Sequence, residues 1–89
     1  MAGKMNQDIS IGENLKILRE RSGFSQSDVA VKLQVMGFEG IQRETISQME
    51  RGVHGICVSI LLALKEIYQL SNFDAFFANL DLEAFLTGK

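Results

Sequence analysis

In this 89-residue chain, the residue types and spacing of Arg43, Glu44, Ser47, Gln48 and Arg51 suit reading a base edge. At about 100° per residue, Glu44, Ser47, Gln48 and Arg51 fall on one side of a helix, and Arg43 flanks that side at its N-terminal end. Ile46, Met49, Glu50 and Val53 fall on the opposite side. An arginine at position 43 has the fork to pair with guanine O6 and N7, and the Gln48 amide matches adenine N6 and N7. Ser47 is small enough to let a helix approach a groove, and its hydroxyl suits a base or a phosphate. Arg51, near the helix end, suits a phosphate. Glu44 either accepts from a cytosine amino group or pairs with Arg43 or Gln48.

Other segments must hold this face in place. The first helix is expected over about residues 9–22, with Ile11, Leu15 and Leu18 forming one apolar stripe and Gly23 stopping it. Ser25 and Asp28 have the spacing of a capping box, so a second helix starts there. Val29, Ala30 and Leu33 are its core face, and Ala30 is small because two helices cross closely there. Gly37 and Gly40 bracket a turn that contains Phe38. The third helix is expected from Gln42 to Gly52, with Met49 filling the core and Met36 doing the same beside the turn. A loop over Gly52 to Cys57 leads to a fourth helix, about Val58 to Leu70, whose face is Ile60, Leu61, Leu64, Ile67 and Tyr68. Asn72 suits the cap of a last helix with Phe73, Phe76, Phe77 and Leu80, and Leu82, Phe85 and Leu86 continue its spacing.

A chain this short makes one domain, without proline and with 46% hydrophobic residues. No apolar run is long enough to span a membrane, the first residues are polar, and the single cysteine suits a reducing compartment, so a cytoplasmic location is expected. The net charge of −2 argues against a nucleic-acid binder taken whole, but its distribution does not. Residues 1–65 carry eight Lys/Arg and seven Asp/Glu, leaving +1, whereas residues 66–89 carry one Lys and four Asp/Glu, leaving −3. The acidic surplus therefore lies away from the candidate reading helix. With one histidine (His54) and one cysteine (Cys57), there is no metal-ligand cluster and no visible nucleophile–base pair. No glycine loop is built to hold a phosphate. Neither an enzyme nor a cofactor is expected.

The segments Ile17-Leu18-Arg19-Glu20-Arg21-Ser22-Gly23-Phe24-Ser25-Gln26, Val29-Ala30-x-x-Leu33, Thr45-Ile46-Ser47-Gln48-Met49-Glu50-Arg51-Gly52 and the leucine-rich Ile60 to Leu70 together resemble the lambda-repressor-like helix-turn-helix family. These are the Cro-like or XRE-type regulators of bacteria and their phages. The resemblance covers about residues 9–77. It implies an all-α fold, a compact bundle of four to five helices with a helix-turn-helix, here followed by a short hydrophobic C-terminal helix. It also implies that Gln26 contacts a phosphate and braces the recognition helix, and that Arg43, Glu44 and Gln48 reach base edges. Arg19 and Glu50 match a partly buried ion pair between the first and third helices. That pairing is physically sensible, because an unpaired carboxylate on the inner face is costly. Three features depart from the family pattern. The interval from Leu33 to Ile46 is longer by about half a dozen residues than the usual turn. Gln42 stands at the N-cap of the third helix, where Ser or Thr is usual. Val53-His54-Gly55 follows Gly52, where a basic residue and a proline are usual.

The candidate DNA-contacting residues are thus Gln26, Gln42, Arg43, Glu44, Thr45, Ser47, Gln48 and Arg51, with Arg19 and Glu50 as a structural ion pair. Residues 1–8 are expected to form a flexible N-terminus, residues 9–77 the DNA-binding domain, and residues 78–89 a C-terminal extension suited to a dimer contact. The expected function is sequence-specific binding of double-stranded DNA by a small homodimeric transcriptional regulator, a repressor acting by occupancy. The alternative is a protein-interaction module, or an antitoxin-like partner, that binds another protein through its acidic, Phe-rich tail.

Overall fold

The computed structural model describes residues 4–5 and 10–80. Four α-helices carry the fold: α1 (Gly12–Arg21), α2 (Gln26–Val35), α3 (Arg43–Glu50) and α4 (Val58–Ile67). A short 3-10 helix follows at Asp74–Phe77. The stretch expected as a loop before α4 contains a two-residue strand, β2 (Ile56–Cys57). The backbone of β1 (Lys4–Met5) pairs with it antiparallel, Lys4 opposite Cys57 and Met5 opposite Ile56. Residues 81–89, including Leu82, Phe85 and Leu86, lie outside the described residues.

Each helix starts and stops for a local reason. At the head of α2, Ser25 Oγ accepts from Asp28 N–H at 3.0 Å, and Asp28 Oδ2 accepts from Ser25 N–H at 2.8 Å. This is the capping box foreseen from the spacing. All four α-helices end in the same way, with paired backbone bonds returning from just past the helix to its last turn: Phe24 to Arg19, Phe38 to Leu33, Val53 to Gln48 and Leu70 to Lys65. The residue that makes the reversal has a positive φ. It is a glycine in three cases and Gln69, at φ 56°, in the fourth.

The long turn between α2 and α3 could have been an extension of α2. Instead α2 ends at Val35, because Gly37 turns left-handed at φ 107° and reverses the chain. Phe38 then packs against the core and Ile41 is buried. Gln34 Nε2 donates to Ile41 O at 2.6 Å, closing the turn onto the end of α2. Met36, expected in the core, is instead 45% exposed, because the reversal at Gly37 carries the chain away just after it. Val53 is likewise exposed, since the backbone leaves the helical path at Gly52 (φ 79°) before the inner face can continue.

The core is one cluster drawn from every helix. Val29, Leu33, Ile46, Met49, Leu64 and Phe76 are among its most deeply buried side chains. Tyr68 is buried with them while its neighbour Ile67 is only partly so. The last element is 3-10 rather than α, and its N-cap is Phe73 rather than Asn72, which sits one residue earlier with its Oδ1 accepting from Asp74 N–H at 2.9 Å. It is pinned to α1 by a buried amide that periodicity alone did not single out. Asn14 Nδ2 donates to Phe76 O at 2.9 Å and to Ala78 O at 2.8 Å. Phe76 fills the core, Phe73 packs against it at a centroid separation of 6.0 Å, and Phe77 remains exposed.

Candidate nucleic-acid interface

Eight residues, Arg43–Glu50, make α3, and its two sides differ completely. Ile46 and Met49 are buried beneath it at 2% and 1% exposure. On the other side Gln42, Arg43, Glu44 and Arg51 are exposed, with Thr45, Ser47 and Gln48 half-buried between them. The helix begins without a serine or threonine at its cap position. Thr45, three residues on, makes the return bond, its Oγ1 accepting from Gln42 N–H at 3.2 Å. The threonine hydroxyl is therefore engaged in holding the helix start.

The inner end of α3 is fixed by a charged clamp. Arg19 Nε donates to Glu50 Oε2 at 2.6 Å and Arg19 Nη2 to Glu50 Oε1 at 3.1 Å, a two-pronged pairing. Gln26 Nε2 donates to the same Oε1 at 3.1 Å, and Arg19 Nη1 donates to Phe24 O at 2.9 Å. The Arg19 and Glu50 side chains are only 11% and 5% exposed. One carboxylate thus gathers donors from α1 and from the first residue of α2. The hydrogen bond to Glu50 holds the Arg19 guanidinium above its ordinary pKa. Tyr68 lies close enough to feel both charges. Burial first, and the Glu50 charge second, push its phenol well above the usual range, so it stays neutral.

The backbone itself touches at this end. Gly12, the first residue of α1, is buried against the last turn of α3. A Cβ there would overlap the Glu50 carbonyl and lie 2.8 Å from Met49 O. The glycine is required for close approach, and neither clashing atom belongs to a side chain that could swing aside.

Beside the outer face lies an open hollow of about 610 Å³, lined by Ser10, Glu13, Lys16, Gln26, Ser47, Glu50 and Arg51. It brings together four of the residues singled out from sequence: Gln26 from α2, and Ser47, Glu50 and Arg51 from α3 and its C-cap. Gln42, Arg43 and Glu44 sit at the opposite end of α3 and do not line it. Ser10, just before α1, and Glu13 and Lys16 on it were not singled out from the sequence. Their signal was two polar residues one turn apart at 13 and 16, but nothing local says that this side of α1 faces α3. Lys16 has no ion-pair partner among the described residues. Across the outer face, Arg51 Nη2 lies 3.3 Å from Glu44 Oε2, with both side chains more than half exposed. The partner of the Glu44 carboxylate is therefore Arg51, rather than Arg43 or Gln48. His54, in the loop before β2, has Nδ1 2.6 Å from Gly55 O.

This arrangement is a short helix held from behind with polar groups turned outward and a hollow at its flank. A family model described as a helix-turn-helix domain matches residues 10–74. No curated protein and no solved structure matches the chain. No helix among the described residues is long and apolar enough to cross a membrane.

Proposed function

The chain belongs to the helix-turn-helix domain family, and on that premise we propose that it is a sequence-specific DNA-binding regulator that places α3 in the major groove. The observation that carries this reading is the two-sidedness of α3. Its inner side is anchored by Ile46, Met49 and the Glu50 clamp, and its outer side offers Arg43, Glu44, Ser47 and Gln48. Arg43 suits guanine and Gln48 suits adenine. Gln42 and Thr45, at the head of the helix, complete the candidate surface. Gln26, Lys16 and Arg51 surround the hollow where the sugar–phosphate strand would pass, and phosphate contacts there would set the register of the helix over the bases.

Two copies related by a two-fold axis would set their α3 helices one turn of DNA apart, roughly 34 Å, on a palindromic site. Repression then follows from occupancy of that site. The acidic chain-wide balance means that affinity rests on a few local phosphate contacts, each adding about 0.9 to the slope of log affinity against log salt.

The test is selection of bound sequences from random duplexes, followed by titration of the selected and random DNA at several salt concentrations. Preference for the selected sequence, with affinity falling steeply as salt rises, is expected. Gln48→Ala should weaken the selected site by about 1–3 kcal/mol and leave random DNA nearly unchanged. Absence of any sequence-preferring complex at low salt would overturn the proposal, and equal losses on both DNAs would remove Gln48 from the bases.

A protein partner is the second reading, favoured by an apolar hollow between α2 and α4. Phe24, Val31, Val35, Met36 and Ile67 line it, together with Lys32, Glu66 and Gln69. Val35 is 82% exposed there. None of these residues belongs to α3, so an occupant, whether a second copy or another protein, would leave the DNA-facing side open. The acidic C-terminal extension, residues 78–89, remains the other candidate contact for a dimer or an antitoxin-like partner. Light scattering of the full chain and of a chain ending at residue 79 separates these uses: loss of the dimer on truncation assigns the extension to self-association.

A further inference from the structure

Glu44 and Arg51 are seven residues apart, so they lie on one stripe of α3, two turns and about 10 Å from each other. For Arg51 Nη2 to come within 3.3 Å of Glu44 Oε2, the arginine side chain has to run back along the stripe that holds Ser47 and Gln48. Those two residues are half-buried although they face away from the core. The pair thus lies across the surface that would meet DNA. Arg51 also lines the hollow that it shares with Lys16 and Gln26. Its guanidinium has two destinations: the Glu44 carboxylate, or an anion seated in that hollow.

We infer that the Glu44–Arg51 pair is a latch over the reading face, opened only on DNA that offers Glu44 a cytosine amino group. This rests on the DNA-binding reading given above. The exchange has two halves. Arg51 leaves the carboxylate and takes a phosphate oxygen at the hollow. The carboxylate, now without its cation, faces the groove of a polyanion, which is unfavourable unless a base supplies a donor. Cytosine N4–H is the donor that a carboxylate reads in the major groove, whereas the adenine amino group lies beside the N7 acceptor, which repels a carboxylate. With cytosine in place both halves are satisfied. With any base lacking a donor at that point, Glu44 is left unpaired and the complex is penalised. Glu44 is then a specificity-determining residue that acts mainly by rejecting wrong sequences. The pair suits this use because it is solvent-exposed and single-pronged, hence weak and exchangeable. The buried two-pronged Arg19–Glu50 pair has no such freedom.

The test uses the full-length protein, its Glu44→Gln and Arg51→Gln variants, the duplex that the wild type selects, single-base replacements of each selected cytosine, and random duplex. All affinities are measured across a salt series. Glu44→Gln should bind random DNA more tightly and lose about tenfold of the preference for the selected duplex. At one position where the wild type requires cytosine, it should shift towards adenine, which a glutamine amide reads. Arg51→Gln should weaken the selected duplex more than random DNA and lower the salt slope on the selected duplex by about 0.9, the share of one phosphate. An unchanged preference and unchanged cytosine requirement in Glu44→Gln would overturn the latch while leaving DNA reading intact. So would an unchanged salt slope in Arg51→Gln. A wild type with no preferred duplex would overturn both.

Discussion

The two sides of α3 each hold an arginine–carboxylate pair, made of the same chemical groups in opposite surroundings. On the inner side, Arg19 meets Glu50 through two hydrogen bonds with side chains 11% and 5% exposed, and Gln26 adds a third donor to the same carboxylate. On the outer side, Arg51 meets Glu44 through one contact of 3.3 Å, with side chains 58% and 59% exposed. Water competes for the second pair and is mostly excluded from the first. A pair in water is worth little and is readily exchanged for another ion. Removing one partner of a buried pair strands a charge. The contrast teaches that residue type alone does not say whether an ion pair is a fastening or a contact surface; its solvent access does.

The largest effect expected is a direct break of this comparison. Glu50→Gln should destabilise the domain by about 3 kcal/mol, since it leaves the Arg19 guanidinium without a counter-charge in a nearly closed site. Glu44→Gln should move stability by no more than about 0.5 kcal/mol. Urea unfolding of the two variants side by side measures both. Similar losses would mean that the two pairs are energetically alike after all.

Next in size is Gly12→Ala. The added methyl group meets the backbone carbonyls of Glu50 and Met49, which cannot rotate away, so α1 and α3 must separate. A loss of about 1–3 kcal/mol is expected, together with weaker DNA binding, because the inner clamp spans the same two helices. Full stability in Gly12→Ala, read from the urea midpoint, would show that the ends of α1 and α3 are not rigidly apposed.

The smallest effect sharpens the inner side at its α2 contribution. Ser25→Ala removes the cap that fixes the start of α2, where Gln26 reaches Glu50, and should cost about 1 kcal/mol. The Asp28 carboxyl is held below its ordinary pKa first by the Ser25 backbone N–H and then by the Ser25 side chain. Its contribution is therefore complete above the unfolded value of about 4 and is lost as pH falls through the lower folded value. Asp28→Asn should flatten the acid limb of a stability–pH curve below about pH 4. Ser25→Ala should keep most of that limb, because the backbone N–H remains. An acid limb identical in Asp28→Asn and wild type would remove the capping box as its source.

The fold could largely be read from local signals. The apolar stripe Ile11, Leu15, Leu18 marks α1, and the Ser25–Asp28 spacing marks the start of α2. Gly23 and Gly52 stop α1 and α3 at the places where the backbone turns left-handed. Met36 and Val53 failed because each lies beside a glycine reversal, and a helical periodicity carried past that point assigns the wrong face. Asn14 gave no signal, because its partners, Phe76 O and Ala78 O, are backbone carbonyls some sixty residues away whose positions no local pattern encodes. The β2 pairing with Lys4–Met5 escaped for the same reason. At the candidate interface, the outer position of Arg43, Glu44 and Arg51 followed from the angle of each residue around the helix. That Arg51 bonds Glu44, and that Ser10, Glu13 and Lys16 close a hollow with Gln26 and Ser47, did not.

By itself, then, the sequence determined where the helices run, which face of each is apolar, and that residues 42–51 present a polar outer side. Those features depend on the spacing of neighbours along the chain and on which residues tolerate a left-handed turn, so they are encoded within a few turns of helix. Tertiary structure alone decided that Gly12 meets the backbone of α3, that Arg51 pairs with Glu44 in the open across the outer face, and that α1 supplies a wall of the hollow. Those features depend on distances between residues far apart in sequence and on how much water reaches them, quantities that exist only once the helices have packed.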